Sequence, residues 1–230
     1  MVNLSVIVPF FNEENSLENS VNRLLENNIY EKIILIDNNS TDDSYNIAKN
    51  LIDNNKNIEL HETDQEKGKG VVLSHAKKLI TTTHVVIHDA DLEYFPEDIS
   101  EMFEVSKKFP NSLILGSRFI GNKDRKNVYL RTSIANKVMS LFFSLVNFYY
   151  VSDVATCYKL MPSDFYKKIT LKEKGFSIEI ELLSKFLKSN RSIKEVPIKY
   201  EGRSYSEGKK IKASDGFKYL LNTIKYRFIN

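Results

Sequence analysis

Short runs of β-branched and aliphatic residues alternate with helical periods through the first half of the chain, and this alternation leaves few folds open. Residues 4–9, 32–36, 58–61, 84–87 and 113–115 read as buried strands. Between them, residues 14–26 place Leu17, Val21, Leu24 and Leu25 at a helical spacing. Ser40 or Thr41 is expected to cap a second helix that runs to about Ile52, with Asp42 and Asp43 suiting its dipole. Lys67-Gly68-Lys69-Gly70 opens a third, to about Leu79, and Pro96 opens a fourth. Strands separated by helices of about 10–15 residues imply an α/β fold with one doubly wound, mostly parallel sheet flanked by helices.

The second half reads differently. Residues 118–131 form a polar, basic loop, followed by a long helix over 130–148, a strand over 157–161, a helix over 178–188 and a strand over 193–200. A second basic loop, 201–212, precedes a final helix capped by Ser214 or Asp215. No Pro/Gly/Ser-rich linker separates the halves. The expectation is one domain over 1–230, with a nucleotide-handling half (1–117) and an acceptor half (118–230). The paired asparagines at 27–28, 38–39 and 54–55 fall in expected turns, where Asn tolerates left-handed geometry.

A chain of 230 residues buries a sizeable core without staples. Its one cysteine, Cys157, excludes an internal disulfide framework and agrees with a reducing compartment. A net charge of +3 is too small to argue for nucleic acid. No basic segment or cleavage site precedes the first strand, so no signal peptide is expected. The longest apolar run, 138–151, is broken by Ser140, Ser144 and Asn147 and is shorter than the roughly 20 residues that cross a bilayer. These features suggest a cytoplasmic protein, soluble or peripheral at a membrane surface.

The chemistry is concentrated at His88-Asp89-Ala90-Asp91-Leu92-Glu93-Tyr94, directly after Val85-Val86-Ile87. Carboxylates at i and i+2 leave a strand on the same side, and open α/β sheets bind ligands at the carboxyl ends of their strands. Asp89 and Asp91 are therefore candidates to hold a hard divalent ion, Mg2+ or Mn2+, whose shell is completed by water and substrate phosphates. Glu93 is a candidate third ligand. His61, His75, His84 and His88 show no ligand spacing and are expected to be structural.

Two nucleotide folds are rejected. No G-x-G-x-x-G follows the first strand, and Lys67-Gly68-Lys69-Gly70 has neither the spacing nor the hydroxyl of a P-loop.

Taken in order, Val8-Pro9-Phe10-Phe11-Asn12-Glu13-Glu14, Ile36-Asp37-Asn38-Asn39-Ser40-Thr41-Asp42, Lys67-Gly68-Lys69-Gly70, the acidic turn and Gly116-Ser117-Arg118-Phe119 resemble family 2 glycosyltransferases of the GT-A fold. Residues 153–160, Glu195-Val196-Pro197-Ile198 and 202–210 resemble the dolichyl- or polyprenyl-phosphate sugar synthase branch. The chain departs from that pattern at Phe11 (usually Tyr), Asn38 (often a second Asp) and Ser177-Ile178-Glu179 (often Phe-Glu-Pro before Glu). The resemblance implies that Pro9, Phe11, Glu13 and Asp37 line a nucleoside pocket. It implies that Lys69, with Lys67, counters a diphosphate, and that Asp89, Ala90 and Asp91 meet metal and sugar. The implied donor is UDP-glucose or GDP-mannose.

The acceptor decides the remaining machinery. A hydroxyl needs a carboxylate to take its proton, from Asp153, Glu179 or Glu181. A polyprenyl or dolichyl phosphate is already an anion and needs cations instead. Two loops supply them: Arg118, Lys123, Arg125, Lys126 and Arg131 in the first, Arg203, Lys209, Lys210 and Lys212 in the second. Arg matches phosphate oxygens with its planar fork, so Arg118, Arg131 and Arg203 are the first candidates. A lipid acceptor also implies contact with a membrane surface, through residues 138–151, the second basic loop, and a final helix grouping Phe217, Leu220, Leu221, Ile224 and Phe228. The expectation is an inverting, metal-dependent hexosyltransferase. Transfer to a hydroxyl of a glycan or lipid, and a sugar nucleotidylyltransferase, stand as alternatives.

Overall fold

The computed structural model describes residues 2–63, 66–203 and 213–229. Seven strands form one sheet in the order β3-β2-β1-β4-β7-β5-β8. They are β1 (Leu4–Phe10), β2 (Lys32–Asp37), β3 (Ile58–Glu62), β4 (His84–Ile87), β5 (Leu113–Ser117), β7 (Lys159–Pro162) and β8 (Ile193–Pro197). Every pairing is parallel except those of β7, which runs antiparallel to both β4 and β5. The expected mostly parallel sheet is thus present, and its central strands are buried on both faces, as their unbroken Val/Ile/Leu runs require.

The reversed β7 has a functional consequence. Lys159 pairs with Leu115 and Leu160 with Val86, so β7 begins at the edge where β4 and β5 end. The segment leading into it, Asp153 to Tyr158, therefore arrives at the ligand edge beside the acidic turn. A second, two-stranded sheet joins β6 (Arg125–Lys126) to β9 (Tyr200–Glu201), and Tyr200 also bridges to Tyr94. The strand expected over 193–200 is accordingly broken after Pro197, where the chain turns to cross the acidic loop.

Helices α1 (Leu17–Glu26), α2 (Ser44–Asn54), α3 (Lys69–Ala76), α4 (Glu97–Lys108), α5 (Leu130–Asn147), α6 (Ser163–Lys168), α7 (Ile178–Lys188) and α8 (Ala213–Phe228) cover the sheet. α1 starts later than expected, and α2 begins at Ser44 instead of directly after Thr41. The reason is reciprocal bonding between the two loops. Asn12 N donates to Ser40 Oγ (3.0 Å), Thr41 N to Asn12 Oδ1 (2.8 Å), Glu13 N to Ser44 Oγ (2.8 Å) and Asp43 N to Glu14 Oε2 (3.1 Å). Ser40 and Thr41 thus tie the β2–α2 loop to the β1–α1 loop and do not cap a helix. β6 and α6 were not expected from the sequence; both are too short to leave a periodic signal.

α5 and α8 pack with inverted amphipathicity. α5 turns Ser140, Phe143 and Asn147 inward, while Leu130, Ile134, Val138, Leu141 and Leu145 are exposed. α8 buries Tyr219, Asn222, Thr223 and Tyr226 and exposes Phe217, Leu221, Ile224 and Phe228. The two helices are neighbours, with the Arg227 guanidinium 6.0 Å from the centre of the Phe148 ring. Among the described residues no helix is long and apolar enough to cross a membrane. The side chains of Ser214 and Asp215, and Lys209, Lys210 and Lys212, lie outside the described residues.

Candidate active site

A cavity of about 720 Å³ opens along the carboxyl edge of the sheet. Pro9, Phe11, Glu13, Asn38 and Lys67 line one end, Asp89, Ala90, Asp91, Glu93 and Lys69 the middle, and Arg131, Asn136, Met139, Phe176 and Tyr219 the far side. Arg118 and Arg203 also face it. At the first end the Lys67 ammonium stands 4.4 Å over the Phe11 ring, a cation–π contact.

Asp37 does not line this cavity. Its carboxylate is nearly fully buried and accepts from Ser40 Oγ (2.5 Å) and Ser40 N (3.1 Å), so it shapes the turn after β2. Asn38 takes the place on the wall. Its Nδ2 donates to Thr63 Oγ1 (2.8 Å) and Glu66 O (3.0 Å), and its Oδ1 accepts from Gly68 N (2.6 Å). A carboxylate could not hold the Glu66 carbonyl in this way, because it has no hydrogen to donate. The departure at 38 is therefore what clips Glu66–Gly68 to the end of β2.

The glycines of the Lys67–Gly70 turn answer to the neighbouring backbone. A Cβ at Gly70 would lie 1.8 Å from Glu173 O and one at Gly68 2.2 Å from Lys174 O, and Gly68 has φ +136°. Gly70 N donates to Lys174 O (2.8 Å). Only glycine lets these two segments touch. The contact delivers Lys69 inward, where its Nζ lies 2.8 Å from Asp89 Oδ1 and 2.9 Å from Glu179 Oε1.

The two carboxylates of the acidic turn differ in electrostatics. Burial works against the Asp89 anion, but the Lys69 ammonium outweighs it and holds this carboxyl below its usual range. Asp91 has no such lysine. Burial, followed by the charges of Asp89 and Glu93, raises its pKa well above the usual carboxylate range. Arg203 partly compensates, with Nη2 3.1 Å from Asp91 Oδ2 and Nη1 3.1 Å from Glu13 Oε2. Three carboxylates, Glu13, Asp91 and Glu93, thus share one guanidinium. This oxygen-rich, charge-deficient donor set fits a hard divalent cation that takes its remaining ligands from a diphosphate and water.

Glu93, the candidate third ligand, stands in the same acidic cluster and already carries hydrogen bonds. Its carboxylate accepts from Tyr200 OH (2.7 Å) and Arg203 N (2.9 Å), fastening the β9 segment over the acidic turn. Among the described residues no group of three or more potential ligands surrounds one point.

The three arginines stand in different situations. Arg118 is buried and donates from Nε and Nη2 to Asp153 (2.7 and 2.8 Å), whose carboxylate also accepts from Arg118 N. That grip, not an open phosphate fork, is its visible bond. Arg131 is exposed at the start of α5, and Arg203 bridges the carboxylates. In the first basic loop Lys123 is paired with Asp98 and Glu101, both at 3.2 Å.

None of the three candidate bases stands open. Asp153 is held by Arg118. Glu181 is fully buried, accepts from Lys172 N and Glu173 N, and pairs with Lys185. Glu179 lines the cavity but lies between Lys69 and Lys159 (2.5 Å). His88 bridges Ser20 Oγ and Tyr158 OH, both at 2.9 Å, as a structural histidine would. Sequence reasoning missed Lys159 and Tyr200. Lys159 carried a signal, since a lysine inside a buried apolar strand demands a buried partner.

Residues 5–170 match the family model described as glycosyl transferase family 2. The chain is 29% identical to the UDP-N-acetylglucosamine–dolichyl-phosphate N-acetylglucosaminyltransferase of Methanococcus voltae, over 95% of this chain and 94% of that one. It is 26% identical to the dolichol-phosphate mannosyltransferase of Pyrococcus furiosus, over 94% of this chain and 61% of that one. Among solved structures, glucosyl-3-phosphoglycerate synthase from Mycobacterium tuberculosis, in complex with Mn2+, UDP and phosphoglyceric acid, superposes with a TM-score of 0.75. That match covers 98% of this chain and 78% of the other at 16% identity. The sheet is that of the GT-A glycosyltransferases, the nucleotidylyltransferase alternative falls away, and the chain is a glycosyltransferase that belongs to glycosyl transferase family 2.

Proposed function

We propose that this enzyme transfers a sugar from a nucleotide donor to a polyprenyl or dolichyl phosphate at a membrane surface, with inversion at the anomeric carbon. The observation that carries the reading is the run of one cavity from the Asp89–Asp91 pair to α5 and α8, two helices whose outward faces are apolar. A lipid-linked acceptor needs both ends of that path: a charged centre for its phosphate and an apolar surface for its chain.

Phe11, Lys67 and the clipped Asn38 loop are assigned to the nucleoside, and Pro9, Glu13, Lys69, Ala90 and Asp91 to the rest of the donor. Asp91, with Asp89, would hold Mg2+ or Mn2+, which supplies positive charge to the departing diphosphate. Arg131 and Arg203 are assigned to the acceptor phosphate, whose charge must be screened before it can approach the sugar. One phosphate oxygen displaces the nucleoside diphosphate from the opposite face of the sugar, and no proton has to be removed. The engagement of Asp153, Glu179 and Glu181 with cations or backbone supports this over a hydroxyl acceptor. The relatives named for N-acetylglucosamine and mannose widen the donor field beyond glucose and mannose.

The test is a donor panel of UDP-glucose, UDP-N-acetylglucosamine and GDP-mannose, offered with a polyprenyl phosphate and, separately, with glycan or lipid hydroxyl acceptors. A chelator-sensitive glycosyl phospholipid product from one donor is expected. Product only with hydroxyl acceptors would overturn the assignment.

A further inference from the structure

We propose that Glu173 is a positioning residue for donor binding: it fastens the inner face of α8 to the backbone that seats the Lys67–Gly70 turn, and so fixes Lys69 in the cavity. The inference rests on the nucleotide-donor reading above, in which Lys69 meets the donor, and it adds a group that does not touch the donor itself.

Residues 170–174 form neither helix nor strand, so other elements must hold their backbone. From α7, the Glu181 carboxylate accepts from Lys172 N (2.9 Å) and Glu173 N (2.8 Å). From α8, two donors converge on one oxygen of Glu173: Oε1 accepts from Lys225 Nζ (2.8 Å) and Tyr226 OH (2.7 Å). Tyr219, two turns earlier on the same face of α8, donates from its OH to Phe176 O (2.9 Å). Burial works against the Glu173 anion, but its bonds to Lys225 and Tyr226 outweigh it and hold this carboxyl below its usual range. Tyr226 is fully buried, and neither it nor Glu173 lines the cavity.

The segment held in this way is the surface on which the glycine turn rests. Gly70 N donates to Lys174 O (2.8 Å), and the Glu173 and Lys174 carbonyl oxygens stand where a Cβ at Gly70 or Gly68 would have to go. Lys69 lies between the two glycines, so a shift of residues 173–174 moves its backbone. Close-packed groups pass such a displacement on, because neither side can be compressed. The path from α8 through Glu173 and Gly70 to Lys69, whose Nζ lies 2.8 Å from Asp89 Oδ1, therefore has no gap. The helix whose outer face is assigned to lipid serves the donor through its inner one.

Titration calorimetry with UDP and GDP in Mn2+, on wild type, Glu173→Ala, Glu173→Gln and Tyr226→Phe, tests this. Glu173→Ala should weaken diphosphate binding about 3- to 30-fold, with Tyr226→Phe in the same direction. Glu173→Gln, whose amide oxygen still accepts from Tyr226, should lose less. Donor KM should rise while kcat at saturating donor stays within about 2-fold. The deciding arm is the Lys69→Ala background, where Glu173→Ala should cost less than about 2-fold more. A full further loss in that background would show that Glu173 does not act through Lys69, and overturns the proposal. Unchanged affinity in Glu173→Ala overturns it too, as does a fall in kcat at constant KM. If Glu173→Ala does not fold, Tyr226→Phe, which removes one hydroxyl, runs through the same cycle with the same deciding outcomes. A wild type that binds neither diphosphate refutes the nucleotide reading itself, and this proposal with it.

Discussion

Arg118 and Asp153 meet through two parallel hydrogen bonds, 2.7 and 2.8 Å long, where Asp153 is fully buried. Breaking one side strands a charge in the interior, at a cost of about 3–5 kcal/mol. Asp153→Ala and Arg118→Ala should each lower the urea midpoint accordingly, and the double variant should lose less than the sum. Additive losses would show that the pair is not coupled.

Asp89→Asn and Asp91→Asn are expected to cut transfer at least about 100-fold while leaving the unfolding transition in place, since both side chains sit at the sheet edge. The substitutions should part company in metal-dependent binding of the nucleoside diphosphate. Asp91→Asn should weaken it more, because Lys69 already neutralises Asp89. Near-normal turnover in either purified variant would sink the metal assignment.

Gly70→Ala drives a methyl group against Glu173 O, which must move together with Lys174. The expected cost is about 1–3 kcal/mol, as for other overpacked positions. Because Lys69 moves with the turn, donor KM should rise as well, whereas Gly175→Ala, with no protein atom within 4 Å of the added methyl, should be neutral in stability.

Burial of His88 lowers its pKa from 6.5 to about 4. Above pH 6.5 both folded and unfolded chains keep this ring neutral, and its contribution is intact. As pH falls from 6.5 towards 4, the unfolded state takes up a proton that the folded state refuses, so stability declines by up to about 3 kcal/mol. Urea midpoints across that range should fall more steeply for wild type than for His88→Asn. Parallel curves would remove the effect.

Replacing Leu141, Leu145, Leu221 and Phe228 with serine should abolish co-sedimentation with anionic vesicles. Stability should change little, because all four side chains are exposed. A quadruple variant that still pelleted would exclude the α5–α8 face as the membrane contact.

The chain's local patterns determined the alternating strands and helices, the carboxylate pair at the end of β4 and the basic segments, because each depends on neighbours a few residues apart. Tertiary structure alone decided the rest. Strand polarity is invisible in a four-residue run, so the reversal of β7, which brings Asp153 and Cys157 to the ligand edge, had no local sign. Arg118 and Asp153 are 35 residues apart, and only the paired strands between them turn two candidate catalytic groups into one buried ion pair. The resemblance placed Asp37 in the nucleoside pocket; only the closed turn shows Ser40, three residues on, bonded to its carboxylate. Periodicity marked apolar stripes on α5 and α8 but not their direction. That was set by the polar and aromatic faces those helices press against the domain, which leave the apolar stripes facing outward.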